Sequence, residues 1–346
     1  MHITFLAYRL DRSRLMTTEF YRQDIEILKS LGYEVDIATS LREVSAKTDL
    51  VFLWWWNWLW LVGPILKMRG LPICVTGSLE PDIYEKRSWL FRLLVRNGMR
   101  FADQSVFVSK YMIDRLTQLM PLRNALLCPH IVLNEYRPAT SENKRAMQNV
   151  IFNVAWKKAA NVRRKMQIEL IEAFNIVRAE LPEATLVLAG EPVDGQAMME
   201  QRCEELGITD RVRFLGKISK SEKIHYMQNC GAYYQCSRHE GFGLAIAEAM
   251  ACGAPVVVNR KTAIPEVVGE CGYYVDDETP EAIAQTLKTV LTNQHDAVAL
   301  GKRAAERIDQ EFRFGRRREF FDALLTKMLA SKGKTDNVGK RKKLAA

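Results

Sequence analysis

Short apolar runs alternate with amphipathic stretches along most of the chain, and no other feature constrains its folding as strongly. HITFLAY (2–8) reads as a strand, Thr18 to Leu31 as a helix closed by Gly32, and YEVDIAT (33–39) as a second strand. DLVFLW (49–54), LPICVT (71–76) and QSVFVS (104–109) continue the strands, with helices over Asn57–Met68, about 86–98 and Lys110–Met120 between and after them. The second half repeats the rhythm. Strands are expected at NVIFNVAW (149–156), ATLVLAG (184–190), RVRFLG (211–216), AYYQC (232–236), PVVVN (255–259) and GYYV (272–275). Helices are expected over Lys165–Glu180, Gly195–Leu206, Ser221–Asn229 and Gly243–Ala251, with a further one opened by Pro280. Strand–helix–strand at this spacing means α/β architecture with doubly wound parallel sheets. The polar stretch 139–148 separates two such halves, and two sheets facing each other would leave a cleft for ligand at their strand ends.

Composition narrows the class. Hydrophobic residues make up 48% and charged residues 26% of 346, ordinary for a soluble globular protein. The opening MHITFLAYRL lacks the basic head and long apolar core of a signal peptide. The seven cysteines are scattered with no C-x-x-C pair, which argues for a reducing cytoplasm and against a zinc ribbon or disulfide framework. No histidine or acidic cluster has metal-ligand spacing, so no metal is expected, and nothing points to nucleic acid. Part of the net charge of +9 sits in the tail 331–346, which lacks apolar periodicity and is predicted to be disordered. Its closing KLAA is read as a vector remnant and left out of the functional reading.

Two aromatic and basic segments stand out. Residues 50–66 carry no charge and include five tryptophans between Trp54 and Trp60. A membrane span wants about 20 apolar residues, and this run contains Asn57, Gly63 and Pro64, so it divides better into a buried strand and the next helix. The segment Lys86–Arg100 has five basic residues and no acid, with Arg92, Arg96 and Arg100 four apart and Trp89, Leu90, Leu93 and Leu94 on another face. It is either a helix for an anionic lipid surface or a surface helix whose apolar side meets the core.

The stretch 236–276 carries the chemistry. A strand ends near Cys236, and SRHEGFG leads into a helix whose start holds Gly241 and Gly243. Free N–H groups at such a start make an anion site. Glu240 precedes the helix and Glu248 follows eight residues on, within roughly 12 Å at 1.5 Å per residue. Carboxylates so spaced would grip hydroxyls at two ends of one ligand with a diphosphate between, the layout of a nucleotide-sugar. Glu248 lies in the apolar run AIAEAMA, where a carboxylate needs a partner.

These residues resemble the donor-site signature of the retaining GT4 glycosyltransferases, with its E-x7-E motif. Glu240-Gly241-Phe242-Gly243-Leu244 and Glu248-Ala249-Met250-Ala251 match, followed by Gly253, Pro255-Val256-Val257 and Pro265-Glu266-Val267-Val268. Segments 184–191, 211–222, 102–112, 32–39 and 164–174 also have counterparts in that family. The resemblance implies the GT-B fold: an acceptor domain over 1–143, a donor domain over 144–308, and helices over 309–330 that cross back to the first domain. It implies a metal-independent, retaining hexosyltransferase with no cofactor. The donor would be a nucleotide-diphosphate sugar and the acceptor a saccharide or lipid-linked glycan. Its place would be the cytoplasm, in bacterial cell-surface polysaccharide synthesis, and peripheral on the inner face of the plasma membrane where Lys86–Arg100 takes the lipid reading. The alternatives are a GT-B nucleotide-sugar epimerase or hydrolase and a non-catalytic binding relative.

By similarity, Glu240 and the backbone of Gly241, Phe242, Gly243 and Leu244 hold the donor sugar and phosphates, and Glu248 holds the ribose. His239 adjoins the sugar, and the base meets the backbone around Lys217. Lys165 matches the family's diphosphate lysine. The family's arginine has no counterpart in NVAWKK, and Arg164, Arg163 or Lys157 stands in for it. Where relatives carry a glycine pair after the first strand, this chain has LDRSRLMTTEF, with Arg12 and Arg14 available. Where they carry a histidine, it has Gly77 or Ser78, leaving Glu80 and Asp82 as acceptor-side carboxylates or plain loop residues. Among Trp55, Trp56 and Trp58, indoles would line the acceptor site, Trp56 and Trp58 foremost, with the other tryptophans in the core.

Overall fold

A computed structural model describes residues 1–139 and 147–343, with side chains to Ala330. The chain divides into two units, Met1–Ile131 with Phe314–Ala346, and Val132–Arg313. The polar stretch expected as the boundary, 139–148, lies almost wholly outside the described residues.

In the first unit the order is β1 (His2–Leu6), α1 (Arg12–Thr17), α2 (Glu19–Ser30), β2 (Glu34–Ala38), β3 (Leu50–Trp54) and α3 (Leu59–Met68). Then come β4 (Ile73–Thr76), α4 (Pro81–Glu85), α5 (Trp89–Gly98), β5 (Gln104–Phe107), α6 (Lys110–Leu119) and β6 (Ala125–Leu127). The strands pair in parallel in the order β2-β1-β3-β4-β5-β6. All five residues of β3 are buried, which is why LVFLW reads as a continuous apolar run rather than an alternating one. The tryptophan-rich stretch therefore splits into a central strand, a short 3-10 turn over Trp56–Trp58 and α3. Among the described residues no helix is long and apolar enough to cross a membrane.

The second unit runs β7 (Met147–Val154), α7 (Ala159–Arg164), α8 (Gln167–Glu180), β8 (Thr185–Ala189), α9 (Gln196–Glu205), β9 (Val212–Gly216) and α10 (Lys220–Asn229). It continues with β10 (Cys230–Tyr234), α11 (Leu244–Ala251), β11 (Val256–Val258), α12 (Ile264–Val268), β12 (Tyr273–Tyr274), α13 (Pro280–Thr292) and α14 (Gln294–Glu311). Its six parallel strands lie in the order β12-β11-β10-β7-β8-β9. Ser219 and Glu222 form a reciprocal cap on α10, and Thr279 caps α13 ahead of Pro280. Gly190, at φ 131°, is required: a Cβ there would stand 1.8 Å from the Ala155 carbonyl oxygen, so the ends of β7 and β8 could not close together.

The last helix, α15 (Phe314–Lys343), belongs to the first unit. Its backbone runs on into the stretch 331–346 expected to be disordered. Phe321, Leu325 and Leu329 join the core built on Phe5, Phe52 and Trp54. Arg317, fully buried, meets Asp24 of α2 at 2.7 and 3.0 Å and donates to the Cys128 and Pro129 carbonyls. Asp24 also accepts from Trp54 Nε1 at 3.0 Å, so one buried carboxylate ties α2, β3 and α15 together. Removing one partner of such a pair costs about 3–5 kcal/mol.

Candidate functional site

In an open parallel sheet the chain changes winding direction between two adjacent strands, and their carboxyl ends leave a crevice. In the second unit those strands are β7 and β10. Apart from Lys217, which follows β9, the candidate donor residues lie on the segments that leave β7 and β10. Asn153 fixes the two strands to one another and to α8: it donates to the Tyr234 carbonyl at 2.8 Å and accepts from Gln167 at 2.6 Å.

The sequence predicts one helix from Lys165. The structure starts it two residues later, at Gln167, and sets a further short helix before it: α7 ends at Arg164, and Met166, with a left-handed φ of 49°, makes the break between the two. The break is held from the other strand. Arg238 N–H donates to the Arg164 carbonyl at 2.8 Å, and Arg164 Nη1 donates to the His239 carbonyl at 3.1 Å. Lys165 is thereby turned inward, buried, with Nζ on Glu240.

Glu240 is buried and compensated. Besides Lys165, it meets Arg164 at 3.4 Å and accepts from Ser237 Oγ at 2.8 Å and Gln235 Nε2 at 3.4 Å. Burial works to raise its pKa, but the charges of Lys165 and Arg164 more than offset this, and it stays below the usual carboxylate value. Its N–H donates to Thr262 Oγ1 at 2.9 Å, from a threonine at φ 53°. A β-branched residue there is an outlier, and it sits against the candidate site, as strained backbone tends to.

Gly243, at φ 95°, starts α11. The first amides bonding back into the helix are those of Ile246 and Ala247, both to the Gly243 carbonyl. The N–H groups of Gly243, Leu244 and Ala245 precede them and have no carbonyl a turn back within the helix. Gly241 and Phe242 are buried, Phe242 edge-on to Phe312 at 5.6 Å. Glu248 is buried on α11 and accepts from Lys223 of α10 at 3.0 Å, while Lys223 lies 4.9 Å from the Tyr136 ring centroid. Lys223, Ser237, Gln235 and Thr262 escape the sequence reading. Ser237 stands three residues before Glu240 in a visible turn, but the other contacts have no local signal.

Among the substitutes for the missing arginine, Arg164 reaches Glu240. Lys157 is buried after β7, its Nζ has no hydrogen-bond partner, and burial brings its pKa down to about 7. Lys217 is exposed beyond β9, and His239 is half-buried with its carbonyl engaged by Arg164. Among the described residues no group of three His, Cys, Asp or Glu side chains is arranged to hold a metal ion.

The acceptor-side residues scatter. Trp56 is packed in the core instead of lining a site: it is 1% exposed and stacks on Phe107 at 4.6 Å. The 3-10 turn after β3 rotates it inward. Trp58 lies against Tyr8 and under Arg9. Asp82 accepts from Tyr111 at 3.1 Å. Glu80 does line a cavity of about 260 Å³, with Trp55, Tyr84, Arg87 and Phe91. The indole in that cavity is Trp55, at φ 80°, which donates to Tyr21 Oη at 2.6 Å. A larger cavity of about 610 Å³ at the ends of β11 and β12 is lined by Arg260, Lys261 and Tyr274, and neither Glu240 nor Glu248 lines it.

Comparison with known proteins adds a family. Residues 141–307 match the family described as Glycosyl transferases group 1. The chain is 31% identical over 260 residues to an N-acetyl-alpha-D-glucosaminyl L-malate synthase of Bacillus anthracis, a match covering 72% of this chain and 64% of that protein. It is 25% identical over 284 residues to a GDP-mannose-dependent phosphatidylinositol monomannoside mannosyltransferase of Mycolicibacterium smegmatis, covering 78% and 74%. Among solved structures, sucrose-phosphate synthase from Thermosynechococcus elongatus superposes with a TM-score of 0.78 at 18% identity, covering 95% of this chain and 99% of that one. Anabaena HepE in complex with UDP and glucose gives 0.76 at 18%, covering 94% and 100%. The structural likeness bears on fold, which is α/β of the GT-B type. The family match runs across the second unit, and with the 31% identity over 72% of the chain it places this chain among the group 1 glycosyltransferases.

Proposed function

We propose that this chain is a retaining, metal-independent glycosyltransferase. It moves a sugar from a nucleotide-diphosphate sugar to a hydroxyl of a saccharide or lipid-linked glycan, at the cytoplasmic face of a membrane in bacterial cell-surface polysaccharide synthesis. The observation that supports this reading most is the grouping at the β7–β10 crevice. There a buried, charge-compensated Glu240 adjoins Lys165, Arg164 and the amide-rich start of α11, with buried Glu248 further along the same helix.

In this reading the leaving diphosphate rests on the amides of Gly243 to Ala245, with Lys165 and Arg164 taking its growing charge. Fixed donors aimed at developing charge are the largest single source of rate in many enzymes. Glu240 accepts from hydroxyls of the sugar, and Glu248 from the ribose diol. The bond from the anomeric carbon to the phosphate oxygen breaks as the acceptor oxygen attacks from the same face. The acceptor's proton passes to the departing diphosphate. The acceptor is received at the cavity of the first unit lined by Trp55 and Glu80, where an indole offers a face to sugar C–H groups.

The relatives leave the base open, since one is named for GDP-mannose and another was captured with UDP. The deciding experiment incubates the protein with UDP- and GDP-sugars, with and without an acceptor panel, and follows products by NMR. A product with retained configuration, formed only with acceptor, supports the reading. Donor isomerised or hydrolysed at the same rate without acceptor points to an epimerase, and binding without turnover to a binding relative.

A further inference from the structure

The basic segment 86–100 has two readings in the sequence, a helix on lipid or a helix packed on the core, and burial separates them. Ser88 caps α5 by accepting from the Phe91 N–H, so the helix starts at Trp89. The residues it buries are Val95 and Gly98, with Met99 just beyond. Trp89, Leu90 and Leu93 are 69, 49 and 45% exposed, on the side away from Val95. On neighbouring α4, Ile83 is 40% exposed. The core thus takes one flank of α5 and leaves its largest apolar side chains outside.

The charges around these side chains choose an occupant. Lys86, Arg92, Arg96 and Arg100 are all exposed, and among the described residues none of the four is paired with a carboxylate. Arg100 rests instead over the Phe101 ring, 4.9 Å from its centroid. A second copy meeting this face across a two-fold axis would set cations against cations. An anionic bilayer offers both things the face lacks, apolar depth for an indole and two leucines and phosphates for the cations.

We propose that α5 docks this chain on an anionic bilayer, with Trp89, Leu90 and Leu93 entering the boundary between headgroups and acyl chains and Lys86, Arg92, Arg96 and Arg100 lying against lipid phosphates. Arg87 and Phe91 of the same segment line the 260 Å³ cavity with Trp55 and Glu80. Docking therefore brings that cavity to the membrane surface, where the hydroxyl of a lipid-linked acceptor is presented. That last step rests on the transferase reading, and the docking itself does not.

The test is flotation of the full chain with phosphatidylcholine vesicles, with and without about a third phosphatidylglycerol, at low and high salt. The expected result is binding to the anionic vesicles only, weakened by salt. Arg92→Glu with Arg96→Glu should cut partitioning at least about tenfold, since each cation near such a surface contributes about fivefold. Trp89→Ser with Leu93→Ser should do the same and abolish any blue shift of tryptophan emission. Circular dichroism and UDP or GDP titration check that both variants remain folded. Failure of the wild type to float, or flotation untouched by either pair of changes, would overturn the proposal. So would self-association in sedimentation velocity that the variants abolish, without vesicle binding. If docking holds and no sugar-nucleotide is turned over with any acceptor, the transferase reading fails alone.

Discussion

Glu248 accepts a hydrogen bond from Lys223 at 3.0 Å, the one acidic side chain of α11 answered by a lysine of α10. A carboxylate in so apolar a helix is costly unless it is paired, and Lys223 supplies the partner. Glu248→Gln retains the shape and removes the charge. It should weaken UDP or GDP binding about tenfold or more, the worth of a charged hydrogen bond. Calorimetry on the folded variant measures this directly, and an unchanged affinity would remove Glu248 from the donor site.

Lys165 carries the charge argument. Lys165→Ala should lower turnover by on the order of 10²–10³, as loss of one fixed transition-state donor does. Glu240 keeps Arg164 at 3.4 Å, so the variant should fold, though with a lowered Tm. Initial rates at saturating donor, set beside the melting curve, are the check. Near-normal turnover in the folded variant would refute the assignment.

Two buried groups near the site predict pH effects of the same sign, in different pH windows. Glu240 is held below its ordinary value, so its contribution to stability is present above about pH 4.5 and lost as pH falls through the folded value. Lys157 is brought from 10.5 down to about 7, so the folded chain binds fewer protons between those values. Its burial penalty is full below pH 7 and relieved as pH rises toward 10.5. Lys157→Met should therefore stabilise the protein most near about pH 6, by on the order of 5 kcal/mol at most, and less near about pH 9. Urea unfolding of both forms at the two pH values tests this, and a gain independent of pH would contradict it.

Adjacent tryptophans should behave differently. Trp55→Ala should raise the acceptor KM several-fold and leave donor binding intact, because Trp55 lines the cavity. Trp56→Ala should cost about 3–5 kcal/mol of stability and damage both activities together, as removal of a buried ring does. Kinetics with acceptor and donor varied in turn separates the two. Equal effects from both changes would place the acceptor elsewhere.

The sheets were legible because their central strands are short, wholly apolar runs between helical stretches, as LVFLW and CGAYY are. The turn from Ser237 to Gly243 was legible through its glycines and its acidic residue before an apolar helix. Three things were not. Met166 adopts a left-handed backbone without being glycine or asparagine, so the break that turns Lys165 inward leaves no mark in the sequence. The choice of Trp55 over Trp56 depends on a single left-handed residue after β3, and a one-residue turn swaps the face each indole meets. The partnership of Lys223 with Glu248 joins residues 25 apart on different helices, beyond any local periodicity. In α5 the periodicity showed a basic and an apolar face, and gave no sign that the core would take the flank of Val95 and Gly98 and leave the arginines, Trp89, Leu90 and Leu93 outside.

The most direct measurement is a crystal structure with UDP or GDP bound. The account predicts the diphosphate against the N–H groups at the start of α11, within reach of Lys165 and Arg164, and the ribose hydroxyls on the Glu248 carboxylate. A nucleotide seated elsewhere, with its ribose far from Glu248, would contradict it.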